Sequence, residues 1–296
     1  MWRIKMSFSK ISEIIEASQT KNLPLWKVIL DDDVQERKVT EKDSFSRMEK
    51  MLDAMLEADK KYNPDLHSQS GLSGGDGAKL ETFRKNENRL IGTFLAMVME
   101  KAVKMAESNA CMGRIVAAPT AGSCGVIPAV LLTYLEEKNV EKTRVVEALF
   151  VAAGIGQVIA ETASISGAEG GCQAEIGSAS SMAAGALTYL ENGDNEQIAN
   201  AAALAMKNML GLTCDPVAGL VEVPCIKRNV SGAVNAIVSS QMAMAGIKSA
   251  IPVDEVFETM GRIGKLIPAC LKETSLEGLA KAPSVLKLHK LRKHRI

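Results

Sequence analysis

From Leu80 onward one apolar segment of helical length follows another, and the alternating β-branched runs that mark half-buried strands are nearly absent. A chain of this kind has little from which to build a sheet. Its apolar residues make up 47% of the sequence while aromatics make up only 4%, so the core has to come from Ala, Met, Leu, Ile and Val. Small side chains let helix backbones approach one another closely. The pattern predicts an all-α fold, a single large helical domain interrupted by Gly-rich turns.

Along the chain the spacing predicts helices over 44–62, 80–109, 128–138, 143–164, 175–190, 195–210, 229–246 and 253–261. The first of these carries Met48, Met51, Leu52, Met55 and Leu56 on one face. The organisation expected is a more charged helical segment at 1–66, a main domain at 67–281 and a short tail at 282–296. The break between the first two is His67-Ser-Gln-Ser-Gly-Leu-Ser-Gly-Gly-Asp-Gly77, too rich in Gly and Ser to be helical. Such a loop is either a structural turn or a cradle of backbone N–H groups for an anion.

Thirty-five basic residues balance thirty-five acidic ones, which argues against a nucleic-acid or membrane-surface binder. The basic run Lys287–Arg295 reads as a solvated end. No apolar leader of secretory type opens the chain. The uncharged stretch Ile115–Leu135 holds Pro119, Pro128 and Gly122-Ser-Cys-Gly125, which favours a buried functional turn over a membrane span. A cytoplasmic protein is the expectation, and its six cysteines then read as ligands, catalysts or core fillers in preference to disulfides.

Three of those cysteines keep unusual company: Gly170-Gly-Cys172-Gln-Ala-Glu175, Gly211-Leu-Thr-Cys214-Asp-Pro216 and Val223-Pro-Cys225-Ile-Lys-Arg-Asn229. Each stands at a Gly or Pro break at the end of a predicted helix, where side chains and backbone donors can share one cavity. Buried cysteine often serves as a small hydrophobe, and that reading is kept for Cys111, Cys124 and Cys270. There is no Cys-x-x-Cys, so a zinc ribbon or ferredoxin-type cluster has poor support. On spacing alone, a metal site on the other three is a weak inference.

These three segments, together with Ala163-Ser-Ile-Ser-Gly-Ala-Glu169, Ala118-Pro-Thr-Ala-Gly-Ser-Cys-Gly-Val-Ile-Pro-Ala129 and the late Glu273-Thr-Ser275 with Gly278-Leu-Ala280, resemble the bacterial iron–sulfur L-serine dehydratases, in particular their α-chains. The resemblance runs from about residue 70 to 280. It implies that Cys172, Cys214 and Cys225 hold a [4Fe–4S] cluster with one open iron, a Lewis acid that assists loss of the serine hydroxyl. It implies serine deamination to pyruvate and ammonia without pyridoxal phosphate. No lysine sits in a recognisable Schiff-base context.

Within that family context, Thr120, Gly122 and Ser123 are the candidates for holding the substrate, with Asn109 just upstream. Amide groups at the following helix start would favour the substrate carboxylate; a tight turn with a capping Thr is the plainer alternative. Asp215 and Arg228 are either supporting groups of the site or an ordinary ion pair. A catalytic base is not evident. Of three histidines two lie in the tail, and His67 reads as a loop residue. Fused members of the family carry a Ser-His-Thr-Val-Gly-Pro-like motif in their other half, which this chain lacks, so a separate β-chain is expected to complete a hetero-oligomeric enzyme. Rival readings are a related lyase such as a cysteine desulfidase, and a non-catalytic iron–sulfur or zinc protein.

Overall fold

The computed structural model describes residues 8–86 and 89–285. Twelve α-helices account for most of them: α1 Ile11–Lys21, α2 Leu25–Arg37, α3 Glu41–Lys60, α4 Asp76–Arg84, α5 Thr93–Ala110, α6 Val126–Lys138, α7 Lys142–Thr162, α8 Gly167–Gly170, α9 Ser178–Leu190, α10 Asn195–Lys207, α11 Cys225–Met244 and α12 Val253–Leu266. A π-helix, Gln173–Gly177, runs directly into α9. Among the described residues the sole extended pairing is an isolated parallel bridge between Cys214 and Lys272. The all-α expectation holds.

The helix α9 sits at the centre, with all of its residues buried, and α6, α7, α10 and α11 pack around it. Its sequence, Ser-Ala-Ser-Ser-Met-Ala-Ala-Gly-Ala-Leu-Thr-Tyr-Leu, explains how four neighbours fit. Side chains are small enough for close approach; a β-carbon at Gly185 would collide with Ile155 of α7. Three of its hydroxyls are satisfied within the bundle. Ser180 donates to the Gly232 carbonyl at 2.8 Å, Ser181 to Ala202 at 2.9 Å and Thr188 to Ala184 at 2.8 Å, as a buried polar group requires.

The N-terminal helices share this core. Ile11, Ile14, Leu25, Val28 and Leu30 belong to the same buried cluster as α7 and α9, and the start of α1 is held by Asp254 of α12, which accepts from the Ile11 N–H at 2.7 Å. By length and composition α7 could cross a membrane, yet most of it is buried inside the fold.

Two expectations need correction. The single helix expected over 80–109 is two, α4 ending at Arg84 and α5 starting after Gly92. The helix expected from Asn229 begins instead at Cys225, with Pro224 as its N-cap, where a missing N–H leaves no helical bond unmade. The basic run at 287–295 and His289 and His294 lie outside the described residues.

Candidate active site

The loops that carry the sequence motifs are cross-linked to one another, and the turn before Cys172 is a tight one. Gly171 has φ +77°, and a β-carbon there would stand 2.9 Å from the Leu212 carbonyl oxygen, so only glycine passes. The next residue but one, Gln173, is fully buried and binds outward on three sides. Its backbone N–H donates to Leu212 at 3.0 Å, its side-chain amide donates to Met260 at 3.1 Å, and its Oε1 accepts from Gly211 at 2.8 Å. Cys172 is thereby tied to the chain that leads into Cys214.

Cys214 is bound on both backbone sides by a strap from the C-terminal part of the chain. Its N–H donates to Leu271 at 2.8 Å and its carbonyl accepts from Glu273 at 2.7 Å. Asp215 accepts from the Leu279 N–H at 2.9 Å and from Arg228 at 3.0 Å, while Arg228 also donates to the Thr213 carbonyl at 2.7 Å. Arg228 reaches the Cys172 thiol as well. The Asp215–Arg228 pair therefore braces the segment between two cysteines, and is not a surface ion pair.

All three thiols are buried. Burial pushes Cys172 up to about 11, with the Arg228 charge opposing it. Burial, then the neighbouring Cys172 sulfur, pushes Cys225 up to about 12. Cys214 is raised by the same causes, and the Glu175 charge adds to them. Three thiols this close and this desolvated are poor hosts for negative charge alone. A cationic group among them reverses that balance, since a metal deprotonates its thiol ligands outright. Among the described residues no three His, Cys, Asp or Glu side chains converge tightly enough to bind a single ion. Thiolates are soft donors, of the kind that suit zinc, copper(I) or iron–sulfur centres.

The remaining cysteines divide. Cys124 is core, 1% exposed, with its thiol directed at the Met105 carbonyl. Cys111 and Cys270 are half-buried, so the core reading does not hold for them. They lie at a helix end and on the strap, where neighbouring helices no longer cover the chain.

The Thr120 turn is joined to the cysteine loops by one residue that the sequence reading did not single out. Asn229 on α11 is fully buried; its Oδ1 accepts from the Gly125 N–H at 2.8 Å, and its amide donates to the carbonyls of Gly122 at 2.8 Å and Cys225 at 3.0 Å. Ser123 is also fully buried, 3.1 Å from the Thr120 hydroxyl, so it shapes the turn from within. Asn109 donates to the Ala121 carbonyl at 3.2 Å from outside. Gly122 is buried and Thr120 half-buried. The amides expected to receive a substrate carboxylate are partly spent: Gly125 N–H on Asn229, and Val126 N–H on the Ser123 carbonyl at 3.1 Å.

The Gly-rich loop at 67–77 proves to be pinned by internal carboxylates. Glu107, 1% exposed, accepts from the N–H groups of Asp76 at 3.0 Å and Gly77 at 3.1 Å and from the Tyr62 hydroxyl at 2.6 Å. Glu222 accepts from Ser68 at 2.7 Å and Ser70 at 2.5 Å. The helix start that looked like an anion cradle holds an anion of the protein's own. His67 is exposed beside it, with Nδ1 3.2 Å from the Asp65 carbonyl.

Glu175 is the second residue that sequence reasoning passed over. It sits on the π-helix three residues after Cys172, with the Thr120 hydroxyl beside its carboxylate. A β-carbon at Gly122 would stand 3.2 Å from its Oε1, and one at Gly167 would stand 2.9 Å from its Oε2 and 3.1 Å from Cys214 Sγ. Burial holds its carboxyl above the usual glutamate value, the Thr120 hydroxyl opposes this, and the Glu273 charge adds to it. π-Helical turns inside α-helices often mark functional sites, and here the wider turn carries this carboxylate.

Fold and site together define an all-helical protein with a buried three-thiol centre beside a hydroxyl-bearing turn and a carboxylate. The serine dehydratase alpha chain family model matches residues 20–280, and the chain belongs to that family. It is 45% identical over 96% of its length to a probable L-serine dehydratase alpha chain of Bacillus subtilis, covering 94% of that protein, and 39% identical over 90% to the L-serine dehydratase alpha chain of Peptoniphilus asaccharolyticus, covering 92%. It is 49% identical over 60% of its length to an L-serine dehydratase of Helicobacter pylori, of which the match covers 40%.

Proposed function

We propose that this chain is the α-chain of an L-serine ammonia-lyase that converts L-serine to pyruvate and ammonia. The observation that carries the proposal is the convergence of Cys172, Cys214 and Cys225 with the Thr120 turn, through Asn229 and Glu175. The three thiols would hold a [4Fe–4S] cluster, and the chemistry it supplies when bound is Lewis-acid assistance to departure of the serine hydroxyl.

The protein's own groups do the rest. Thr120, half-buried in its turn, offers a hydroxyl to the substrate, and Gly122 leaves room for the Glu175 carboxylate. Ser123, Asn109 and Asn229 hold that turn in register with Cys225. A separate β-chain would close the site over the Thr120 turn and the 67–77 loop, excluding bulk water from the reacting centre. The name alpha chain borne by the Bacillus and Peptoniphilus relatives supports that partner, and the part of the Helicobacter protein outside the match is long enough to supply its equivalent in one chain. The test is anaerobic reconstitution with iron and sulfide, addition of the β-chain, and a pyruvate assay on L-serine. A chain that binds no iron and yields no pyruvate under those conditions defeats the proposal.

A further inference from the structure

The geometry points to Glu175 as the base that takes the α-proton of the substrate, an assignment that rests on the serine-lyase reading and locates within this chain a group the sequence seemed to lack. Two glycines from separate loops clear space for its carboxylate. One is Gly122, on the turn that offers Thr120; the other is Gly167, in the short helix before Cys172. A β-carbon at either would meet Glu175 within 3.2 Å. The carboxylate is thus seated against two positions that lack side chains, and it is half-buried. Cys214 Sγ approaches the same Gly167 point at 3.1 Å. The carboxylate therefore stands between the turn that would hold the substrate and the thiols. The Thr120 hydroxyl lies beside it and favours its charged form. His67, the other candidate within the described residues, is exposed and turned to its own backbone.

The step balances without an added oxidant or reductant. Glu175 takes the proton from Cα, and the Cα–H electron pair becomes the Cα=Cβ bond as the Cβ–O bond breaks. The hydroxyl leaves with its electron pair and, with the proton that Glu175 gives up, ends as water. The aminoacrylate product tautomerises and takes up water to give pyruvate and ammonia.

The experiment is made on the reconstituted two-chain enzyme with Glu175→Gln and Glu175→Asp. Glu175→Gln keeps the shape. It is expected to retain the iron–sulfur absorbance and L-serine binding by equilibrium dialysis, while kcat falls about 10²–10⁴-fold, the usual worth of a general base. Glu175→Asp is expected to turn over slowly, with a larger isotope effect on α-deuterated serine than the unmodified enzyme, because proton transfer becomes the slow step. A Gln variant within about tenfold of the unmodified kcat overturns the assignment. So does a Gln variant whose serine affinity drops while kcat persists, which would make Glu175 an anchor for the ammonium group. If the Gln variant fails to assemble, the Asp variant decides: an unchanged isotope effect overturns the proposal. An unmodified enzyme that forms pyruvate without any iron–sulfur absorbance would defeat the cluster reading and leave the base assignment to these same variants.

Discussion

At the residue scale burial works against the charged form of the three thiols and of Glu175 alike. Cys172→Ala, Cys214→Ala and Cys225→Ala are each expected to abolish iron–sulfur absorbance in anaerobically reconstituted protein. Cys111→Ala should keep it, since that residue sits half-buried at the end of α5. An intact chromophore in Cys214→Ala would defeat the ligand set. Thr120→Val is expected to lower kcat/KM about ten- to hundredfold, the worth of a hydrogen bond to a charged group, with the chromophore retained. Glu175 bears on stability too. Its folded-state carboxyl lies above the ordinary glutamate value, so its favourable contribution is present at low pH and is lost as pH rises through the raised value. Glu175→Gln should therefore raise the Tm of the metal-free chain at neutral pH, and the gain should shrink as pH falls toward the ordinary carboxylate range. A constant gain at every pH would mean that packing, not charge burial, separates the two proteins.

At the scale of elements, the turns matter more than the helices they join. Gly125 ends the Thr120 turn where α6 meets α5, and a β-carbon there would stand 2.5 Å from the Ala102 carbonyl oxygen. Backbone cannot swing aside as a side-chain end can. Gly125→Ala should thus cost about 1–3 kcal/mol by overpacking, read as a lower denaturant midpoint at unchanged slope. It should also loosen Asn229, whose Oδ1 accepts from that N–H. These same elements show what the sequence made legible. The Ala-rich periodicity located α7, α9 and α10 closely, and the Gly and Pro breaks marked the turns that hold the cysteines. The break between α4 and α5 had a signal that the helical reading ran over: Arg84-Lys-Asn-Glu-Asn-Arg89 is an unbroken polar run, and Gly92 follows it. Glu175 and Asn229 were missed for another reason. A lone Glu or Asn in a helical stretch reads as a solvent-facing polar residue, and neither the π-turn under Glu175 nor the three carbonyl and amide partners around Asn229 leaves a local signature.

For the whole molecule, the loops around the site are where a partner has most to contribute. Large apolar side chains are exposed on them: Leu220 in the segment before Cys225, and Leu276 and Leu279 on the strap that binds Cys214 and Asp215. Across the rest of the site the chain supplies its own rigidity, through buried Glu107, Glu222 and Asn229. It supplies the base as well, on the assignment made above. What the bundle does not supply is a cover, since Thr120 and Glu175 both remain half-exposed. An uncovered site leaves the reacting centre in water, where electrostatic stabilisation weakens. The chain reconstituted with its cluster but without a β-chain is accordingly expected to bind L-serine weakly and to form pyruvate at least about a hundredfold more slowly than the two-chain enzyme. Adding the β-chain should restore the rate in proportion to complex formed, measured by titrating one chain into the other. Leu276→Asp, on the exposed strap, should weaken that titration and leave the absorbance of the isolated α-chain unchanged. Full activity from the isolated chain would mean that the bundle closes its own site and that the exposed strap serves no partner in catalysis.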